Sequence, residues 1–345
     1  MTERRACLTG VTAQLPERWV SMAEREAQIA AASPSFTPPP GLVTRLTGVR
    51  GVHLIDDDQQ ASDLAAAAGH KLLAGCGVEP AAIDLMLFAA CCQDLAEPAT
   101  SHVVAAKLGL RCPVFDVKNA CNSVLNAVQT AHALIATGQY RTVLITCGEA
   151  PSLYTRLNVP DAQAFARALP AYGFSDAGCA LLFTAEEADP DGQDRGVLAS
   201  RFAAESAVWD SATVRTGGTL ARRALDDGEG FFRMESLRMR ESLRRLARDE
   251  LRPVFDEWRL TFDDLAFVGV HQVSLSDVDE LCGPEFGVPR DKLVVTLPRH
   301  GNVASASLPL QLSLALETGL AHPGDLVALI GLAAGASAGL VVIRL

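Results

Sequence analysis

The sequence predicts an α/β protein made of two similar halves, and three observations support this. Strand-like and helix-like segments alternate in the same order in two separate parts of the chain. The spacing also repeats, because Ala90 and Cys121 are 31 residues apart. His271 and Asn302 have the same separation, at an offset of 181 residues. Several strand-like segments are apolar without alternation, which is typical of strands that are covered by helices on both faces.

The first half contains two predicted βαβ crossovers, and these favour a mostly parallel sheet. Strands are predicted at 84–91, 113–118 and 142–147, and helices at 101–108 and 122–137. The helix at 122–137 is the best specified, because its apolar residues follow helical spacing and Gly138 provides a plausible stop.

The second half repeats this order. Strands are predicted at 265–272, 292–297 and 326–330, and helices at 275–286 and 304–319. We therefore divide the chain into residues 1–186, which hold Cys121, and residues 187–345, which hold His271 and Asn302.

Residues 187–260 are polar and rich in arginine, and they contain one predicted amphipathic helix. Its apolar positions are Leu237, Leu243, Leu246 and Leu251. The arginines of this helix are interpreted as a solvated face, with a phosphate contact as the weaker alternative, and they include Arg240, Arg244, Arg245 and Arg248.

Composition narrows the class of protein. A chain of 345 residues allows about two domain-sized units. Hydrophobic residues make up 49% of the sequence and charged residues 21%, and this composition excludes a mainly disordered chain. The formal net charge of −11 makes nucleic acid an unlikely partner. Nine cysteines without a repeated CxxC spacing favour a reducing cytoplasm, and no metal site is predicted. The first twenty residues show no secretory signal pattern.

The segment 326–343 is uncharged and carries Gly331, Gly335 and Gly339 in the GxxxGxxxG spacing of paired membrane helices. Its glycine-rich middle separates two β-rich runs, however. We therefore predict two buried strands joined by a tight turn, and no membrane span.

Cys121 is the best candidate nucleophile, because it lies between a predicted strand and the N-terminus of a predicted helix. There the helix dipole and free N–H groups favour the thiolate. The remaining cysteines lie in or beside apolar segments and are interpreted as core residues: Cys7, Cys76, Cys91, Cys92, Cys112, Cys147, Cys179 and Cys282.

His271 and Asn302 occupy the corresponding strand ends of the second half. Taken alone, His271 reads as a satisfied structural residue and Asn302 as a helix cap. Because the strand ends of both halves are expected to face a shared cleft, Cys121, His271 and Asn302 can converge there.

These residues resemble the thiolase superfamily, and within it the ketoacyl synthase III branch. The matching segments are FDVKNAC, VHQVS, HGNVASASLP, GFSDAGCALL and GLAAGASAG. The resemblance implies a thiolase fold with layers in the order α-β-α-β-α, and a Cys-His-Asn catalytic set. It also implies a cytoplasmic homodimer that acts on thioesters of coenzyme A or acyl carrier protein without a cofactor. The family commonly has a Trp before the segment LVTRLTGVRG, and this chain has none there.

The resemblance implies a Claisen condensation through an acyl-Cys121 intermediate. The backbone N–H groups of Cys121 and Ala334 would hold the oxyanion, while His271 and Asn302 would stabilise the enolate. The product would be a β-ketoacyl thioester.

A narrower similarity links the chain to condensing enzymes of bacterial olefin and β-lactone pathways, which share an EPxT pattern, here beginning at Glu97. In those enzymes the glutamate enters the partner subunit's site as a base, which implies a non-decarboxylative route. The alternative for Glu97 is a surface carboxylate without a catalytic role. The alternatives for the reaction are a decarboxylative synthase that uses malonyl thioester and an acyltransferase of the same fold.

The sequence disfavours two other classes of protein. A papain-like hydrolase shares the order Cys, His, Asn, but the context KNACNS in mid-chain does not match its pattern. An inactive partner of a heterodimeric synthase is disfavoured because Cys121, His271 and Asn302 are all present. A homodimer is expected to pair along the strand PVFDV, just before Cys121.

Overall fold

The computed structural model describes residues 4–187, 194–220 and 230–345. The first part of the chain contains β1 (Arg4–Gln14), β2 (Trp19–Ser21), α1 (Met22–Ala32), α2 (Leu42–Thr47), β3 (Gly51–His53), α3 (Ala61–Cys76), β4 (Leu85–Ala89), α4 (Thr100–Leu108), β5 (Val114–Val117), α5 (Ser123–Ala136), β6 (Thr142–Glu149), α6 (Ala162–Tyr172) and β7 (Ala177–Glu187). The second part contains β8 (Gly196–Ala204), β9 (Ala212–Thr213), β10 (Arg233–Met234), α7 (Ser236–Leu246), α8 (Arg252–Glu257), β11 (Phe267–Val270), α9 (Leu275–Leu281), α10 (Leu297–His300), α11 (Ser307–Glu317), β12 (Leu326–Ala333) and β13 (Ser337–Arg344).

Two sheets organise these elements. The first has the strand order β1-β7-β6-β4-β5, and the second has the order β11-β12-β13-β8. In the first sheet β4, β5 and β6 are parallel, and β7 pairs antiparallel with both β6 and β1, so that four of the five strands run in one direction. In the second sheet β11 and β12 are parallel, and β13 pairs antiparallel with both β12 and β8, so that three of the four strands run in one direction. Each sheet is therefore mostly parallel in strand direction, as predicted, with one reversed strand. In the second sheet that strand is β13, because the tight turn from β12 to β13 gives antiparallel pairing.

The two sheets enclose a middle layer of helices. α5 contacts β1 and β6 of the first sheet and β13 of the second, and α11 likewise contacts both β1 and β11. α3 covers the outer face of the first sheet, and α7 lies against β13 of the second. The main apolar core draws on both sheets and on the helices between them. The layers therefore follow the order α-β-α-β-α, as predicted.

The predicted strand at 292–297 is wrong. The chain instead forms a short 3-10 turn at Arg290–Lys292, an irregular stretch, and then α10. The side-chain amide of Gln272, just after β11, explains the difference. It donates to the Val294 carbonyl over 2.9 Å and accepts from the backbone N–H groups of Thr296 and Leu297, each over 3.1 Å. These contacts take up backbone groups that a strand would offer to its neighbour.

Two helix predictions also need correction. The helix predicted at 275–286 ends at Leu281, the last residue of α9. In α7 the predicted apolar residue Leu237 is 79% exposed, while Met239 takes the buried position. The arginines do form a solvated face, and ion pairs hold them: Arg240 with Glu280, Arg244 with Glu285, Arg245 with Glu205 and Arg248 with Asp249.

The apolar C-terminal segment forms the predicted hairpin. β12 and β13 pair antiparallel from Leu326 opposite Arg344 to Ala333 opposite Ser337. Across the described ranges of the chain, the structure shows no helix with the length and apolar character needed to cross a bilayer.

Candidate active site

Cys121 lies in the tight turn that joins β5 to α5. Ala120, the residue before it, has a φ of 46°, in the left-handed region that only a minority of non-glycine residues adopt. The Ser123 hydroxyl holds the turn closed, because it accepts from the Asn119 N–H over 2.9 Å and donates to the Ala120 carbonyl over 2.7 Å. The sequence thus places Cys121 at the start of α5, as predicted.

Two groups contact the Cys121 thiol: the thiol of Cys91, which follows β4, and the imidazole of His271, which follows β11. The Cys91 hydrogen bond is the largest influence and lowers the pKa of Cys121. Burial opposes it, but the charge and hydrogen bond of His271 reinforce it, so that the pKa lies well below that of an ordinary thiol. The surroundings of Cys121 therefore favour its thiolate form over that of an ordinary cysteine.

His271 is buried, and the structure fixes the strand that carries it. Its own N–H donates to the Ile330 carbonyl of β12 over 3.0 Å. Gln311 of α11 bonds both backbone groups of Val270, over 3.1 and 2.9 Å. Burial on its own lowers the pKa of the imidazole, but the Cys121 thiolate, together with more distant carboxylates, outweighs it and the net change is upward. Cys121 and His271 thus favour each other's charged forms.

Asn302 follows a second tight turn, at Gly301, whose φ is 64°. Its backbone bonds across to the first half: its N–H donates to the Gly173 carbonyl over 2.7 Å, and its carbonyl accepts from the Ser175 N–H over 3.0 Å. The side-chain Oδ1 accepts from the Ala304 N–H over 2.9 Å. Because that contact orients the amide, the N–H groups of Nδ2 are left as donors.

Glu149, at the end of β6, connects the segments that carry these residues, and the sequence analysis did not single it out. It is fully buried, and its carboxylate accepts from the N–H of Cys91 over 2.8 Å and of Cys92 over 3.2 Å. It also accepts from the N–H and, through a short contact, the hydroxyl of Ser305, three residues after Asn302. Burial raises the pKa of this carboxyl. The sequence signal that could have identified Glu149 is a carboxylate directly after a predicted apolar strand.

Cys91 was predicted to be a core residue, and this is wrong. It is only half-buried, and its thiol contacts Cys121. The contact and burial both raise the pKa of Cys91, so that Cys91 remains the protonated donor of the pair.

Three predicted site residues lie outside the Cys121–His271 contact: Asn302, whose hydrogen bonds are given above, Glu97 and Ala334. Glu97 is exposed on the loop between β4 and α4 of this single chain. Ala334 is half-buried in the turn between β12 and β13. The strand β5 lies at the open edge of the first sheet, and its Phe115 is 41% exposed.

Known proteins resemble this chain over nearly its whole length. Residues 115–206 match the family described as 3-oxoacyl-[acyl-carrier-protein] synthase III, and residues 255–345 match its C-terminal family. A β-ketoacyl-[acyl-carrier-protein] synthase III from Sphingopyxis alaskensis is 32% identical over 99% of both chains. The chain belongs to the ketoacyl synthase III family. It is an acyl-transferring condensing enzyme of the thiolase superfamily.

Other relatives and solved structures extend this comparison. A 3-oxopimeloyl-[acyl-carrier-protein] synthase from Rhodothermus marinus is 31% identical, with 99% of this chain and 94% of that protein covered. Among solved structures, OleA from Xanthomonas campestris aligns with a TM-score of 0.87 at 21% identity, over 100% of this chain and 98% of the other. FabH from Xanthomonas oryzae aligns with a TM-score of 0.85 at 22% identity, over 100% of both chains. The fold is therefore the thiolase fold, as predicted.

Proposed function

We propose that this enzyme joins two acyl thioesters to a β-ketoacyl thioester through an acyl-Cys121 intermediate. The observation that carries the proposal is the contact of the Cys121 thiol with Cys91 and His271, which favours the thiolate, the nucleophilic form of cysteine. The acyl groups would arrive on coenzyme A or on an acyl carrier protein. The names of the related synthases support the second carrier.

In the first half-reaction the Cys121 thiolate attacks the carbonyl carbon of the thioester, and the carrier thiol leaves. The negative charge that develops on the carbonyl oxygen would be held by the backbone N–H groups of Cys121 and Ala334. Each such donor typically contributes about 10²- to 10³-fold to the rate.

In the second half-reaction His271 and the Nδ2 of Asn302 would both donate to the carbonyl oxygen of the incoming thioester. Such donors stabilise an enolate, whose α-carbon then attacks the acyl group on Cys121 and releases the thiol. The orientation of the Asn302 amide, with Oδ1 already bonded to the Ala304 N–H, supports this role.

Glu97 is the proposed base that removes the α-proton, reaching the site of the partner subunit. The buried carboxylates of the site are unsuited to this task, since Glu149 accepts hydrogen bonds from three N–H groups and one hydroxyl. Asp176 likewise accepts from two N–H groups and the Ser152 hydroxyl. The exposure of Glu97 is compatible with an action across a dimer. Pairing along the open edge of β5, with Phe115, would form that dimer.

A malonyl thioester would need no such base, because loss of CO₂ generates the enolate. The alternative second substrate is therefore a malonyl thioester, which reacts by decarboxylation. The alternative reaction is transfer of the acyl group from Cys121 to a hydroxyl or amine.

The nucleophile is tested with Cys121→Ala. After incubation with acyl-coenzyme A species of several lengths, intact mass should show one acyl group on the wild-type chain and none on the variant. An acylated Cys121→Ala chain would show that another residue is the nucleophile.

The base is tested with Glu97→Gln. This variant should still be acylated at Cys121 but should lose condensation of two simple acyl thioesters, followed by chromatography of the β-keto product. Condensation with malonyl-coenzyme A should be unaffected. Glu79→Gln is the matched control, because Glu79 is also exposed and also precedes a proline. Unchanged product from two simple thioesters would exclude Glu97 as the base.

A further inference from the structure

Asn122 directly follows Cys121, and its side chain crosses from the first half of the molecule to the second. The residue is fully buried. Its Nδ2 donates to the Ser337 carbonyl over 3.2 Å and to the Ser337 hydroxyl over 3.0 Å. Ser337 is the first residue of β13 and pairs with Ala333, so it closes the turn that contains Ala334. One side chain therefore connects the segment of Cys121 to the segment of Ala334.

The glycines of the C-terminal segment make this connection possible. Gly331 and Gly339 face each other across the hairpin. A Cβ on Gly331 would lie 1.9 Å from Asn122 Oδ1 and 2.9 Å from the side chain of Leu125 in α5. A Cβ on Gly339 would instead meet the ring of Phe202 in β8, at 2.6 Å. Gly335 lies in the turn with a φ of 81°. Gly331 thus leaves the space on the hairpin that the start of α5 occupies.

The contacts of the turn show why Asn122 matters. The sheet holds the turn through the pairing of Ser337 with Ala333 and with Ala204. A further backbone hydrogen bond runs from the Glu205 N–H to the Ala336 carbonyl, over 2.8 Å. Glu205 belongs to the second half of the chain, like the turn itself. Asn122 Oδ1 is buried and has no hydrogen-bond partner among the described residues, so the two bonds of Nδ2 are the contacts that fix this amide.

We propose that Asn122 is a positioning residue, which fixes the distance between the backbone N–H groups of Cys121 and Ala334 and so the geometry of the oxyanion hole. The inference rests on the proposed function, since it assumes that these two groups bind the oxyanion. A small displacement of such donors is costly, because their contribution depends on their distance from the developing charge.

The test compares two reactions of the same thiol. Acylation of Cys121 by acyl-coenzyme A develops an oxyanion, whereas alkylation of Cys121 by iodoacetamide displaces iodide and develops none. In Asn122→Ala we expect the acylation rate in a single turnover to fall by about 10- to 100-fold. The alkylation rate should change by less than about 3-fold, because the thiolate and its neighbours remain. Both rates are followed by intact mass, with peptide mapping to assign the alkylated cysteine.

A control separates positioning from general damage. Val128→Ala removes a fully buried core side chain from the same helix, α5, without touching the turn. It should lower the melting temperature and leave the ratio of the two rates unchanged. The inference would be overturned if folded Asn122→Ala acylates at the wild-type rate, or if it loses both rates in parallel while its melting transition is retained.

A milder variant keeps the test decisive if Asn122→Ala does not fold. Ser337→Ala removes one of the two acceptors and should lower the ratio of acylation to alkylation in the same direction, by a smaller factor. An unchanged ratio in Ser337→Ala would also contradict the inference. Failure of the proposed function would look different, because wild-type Cys121 would then acquire no acyl group at all.

Discussion

Replacing Cys91 by alanine should raise the pKa of Cys121. The Cys91 thiol is the largest influence that lowers this pKa, through its hydrogen bond to the Cys121 sulfur. A hydrogen bond to a charged group contributes about 1.5–3 kcal/mol, and one pKa unit corresponds to about 1.36 kcal/mol. Removing the donor should therefore raise the pKa of Cys121 by about 1–2 units. The N–H of residue 91 and its bond to Glu149 are retained in the variant.

The measurement is the rate of Cys121 alkylation by iodoacetamide as a function of pH, since only the thiolate reacts. A lowered pKa extends the plateau of the wild-type rate to lower pH than an ordinary thiol shows, and the rate falls as pH drops through that pKa. In Cys91→Ala this fall should occur at higher pH. Buried thiols such as Cys92 and Cys147 have raised pKa values and should react more slowly.

Cys91→Ser is the matched control, because a hydroxyl keeps a donor at the same position. Its midpoint should lie closer to that of the wild type than the midpoint of Cys91→Ala does. Equal midpoints in the wild type and Cys91→Ala would refute the assignment of Cys91 as the donor, and His271 would then be the main source of the lowered pKa.

Three further predictions concern other parts of the site. Asn302→Ala should keep the rate of Cys121 acylation within about 3-fold of the wild type and should reduce condensation, measured as product per acyl-enzyme, by about 100-fold or more. An equal loss in both steps would contradict the role of Asn302. Glu149→Gln should lower the free energy of unfolding by about 1–3 kcal/mol in chemical denaturation, because an amide N–H₂ then faces buried donors, whereas Glu79→Gln should change it little. Phe115→Asp should convert the expected dimer to a monomer by light scattering at micromolar concentration; a persistent dimer would place the interface elsewhere.

The sequence was sufficient for the elements that depend on local pattern. Strand β4, helix α4, strand β5 and helix α5 lie within a few residues of their predicted bounds, because apolar runs and helical spacing act over short distances. The repeat offset of 181 residues pairs Cys121 with Asn302 and Ala90 with His271, and it suggested that the strand ends of both halves face one cleft. The contact between Cys121 and His271 agrees with a shared cleft.

The missed features depend on contacts between distant residues. Residues 292–297 have the composition of a strand, but the Gln272 side chain, twenty or more residues away, takes their backbone groups. The apolar context of Cys91 gives no sign that its thiol meets Cys121 from the neighbouring strand. In the sequence Glu149 does not differ from other carboxylates that follow strands. Only the three-dimensional structure shows its hydrogen bonds to Cys91 and Ser305.

The pairing of β1 with β7 also has a consequence for how this chain folds. Arg4 pairs with Glu187 and Gln14 with Gly178, so the first strand has no partner in its sheet until about 165 to 185 residues have followed it. At a synthesis rate of about 5–20 residues per second, that delay is roughly 10–40 s. The second sheet repeats the situation, since β8 pairs only with β13 at the end of the chain. Contacts of such long sequence separation slow folding, and each sheet keeps an unpaired, aggregation-prone edge while its last strand is missing. Slower translation or a lower growth temperature should therefore change the yield of soluble protein more than changes to surface residues do.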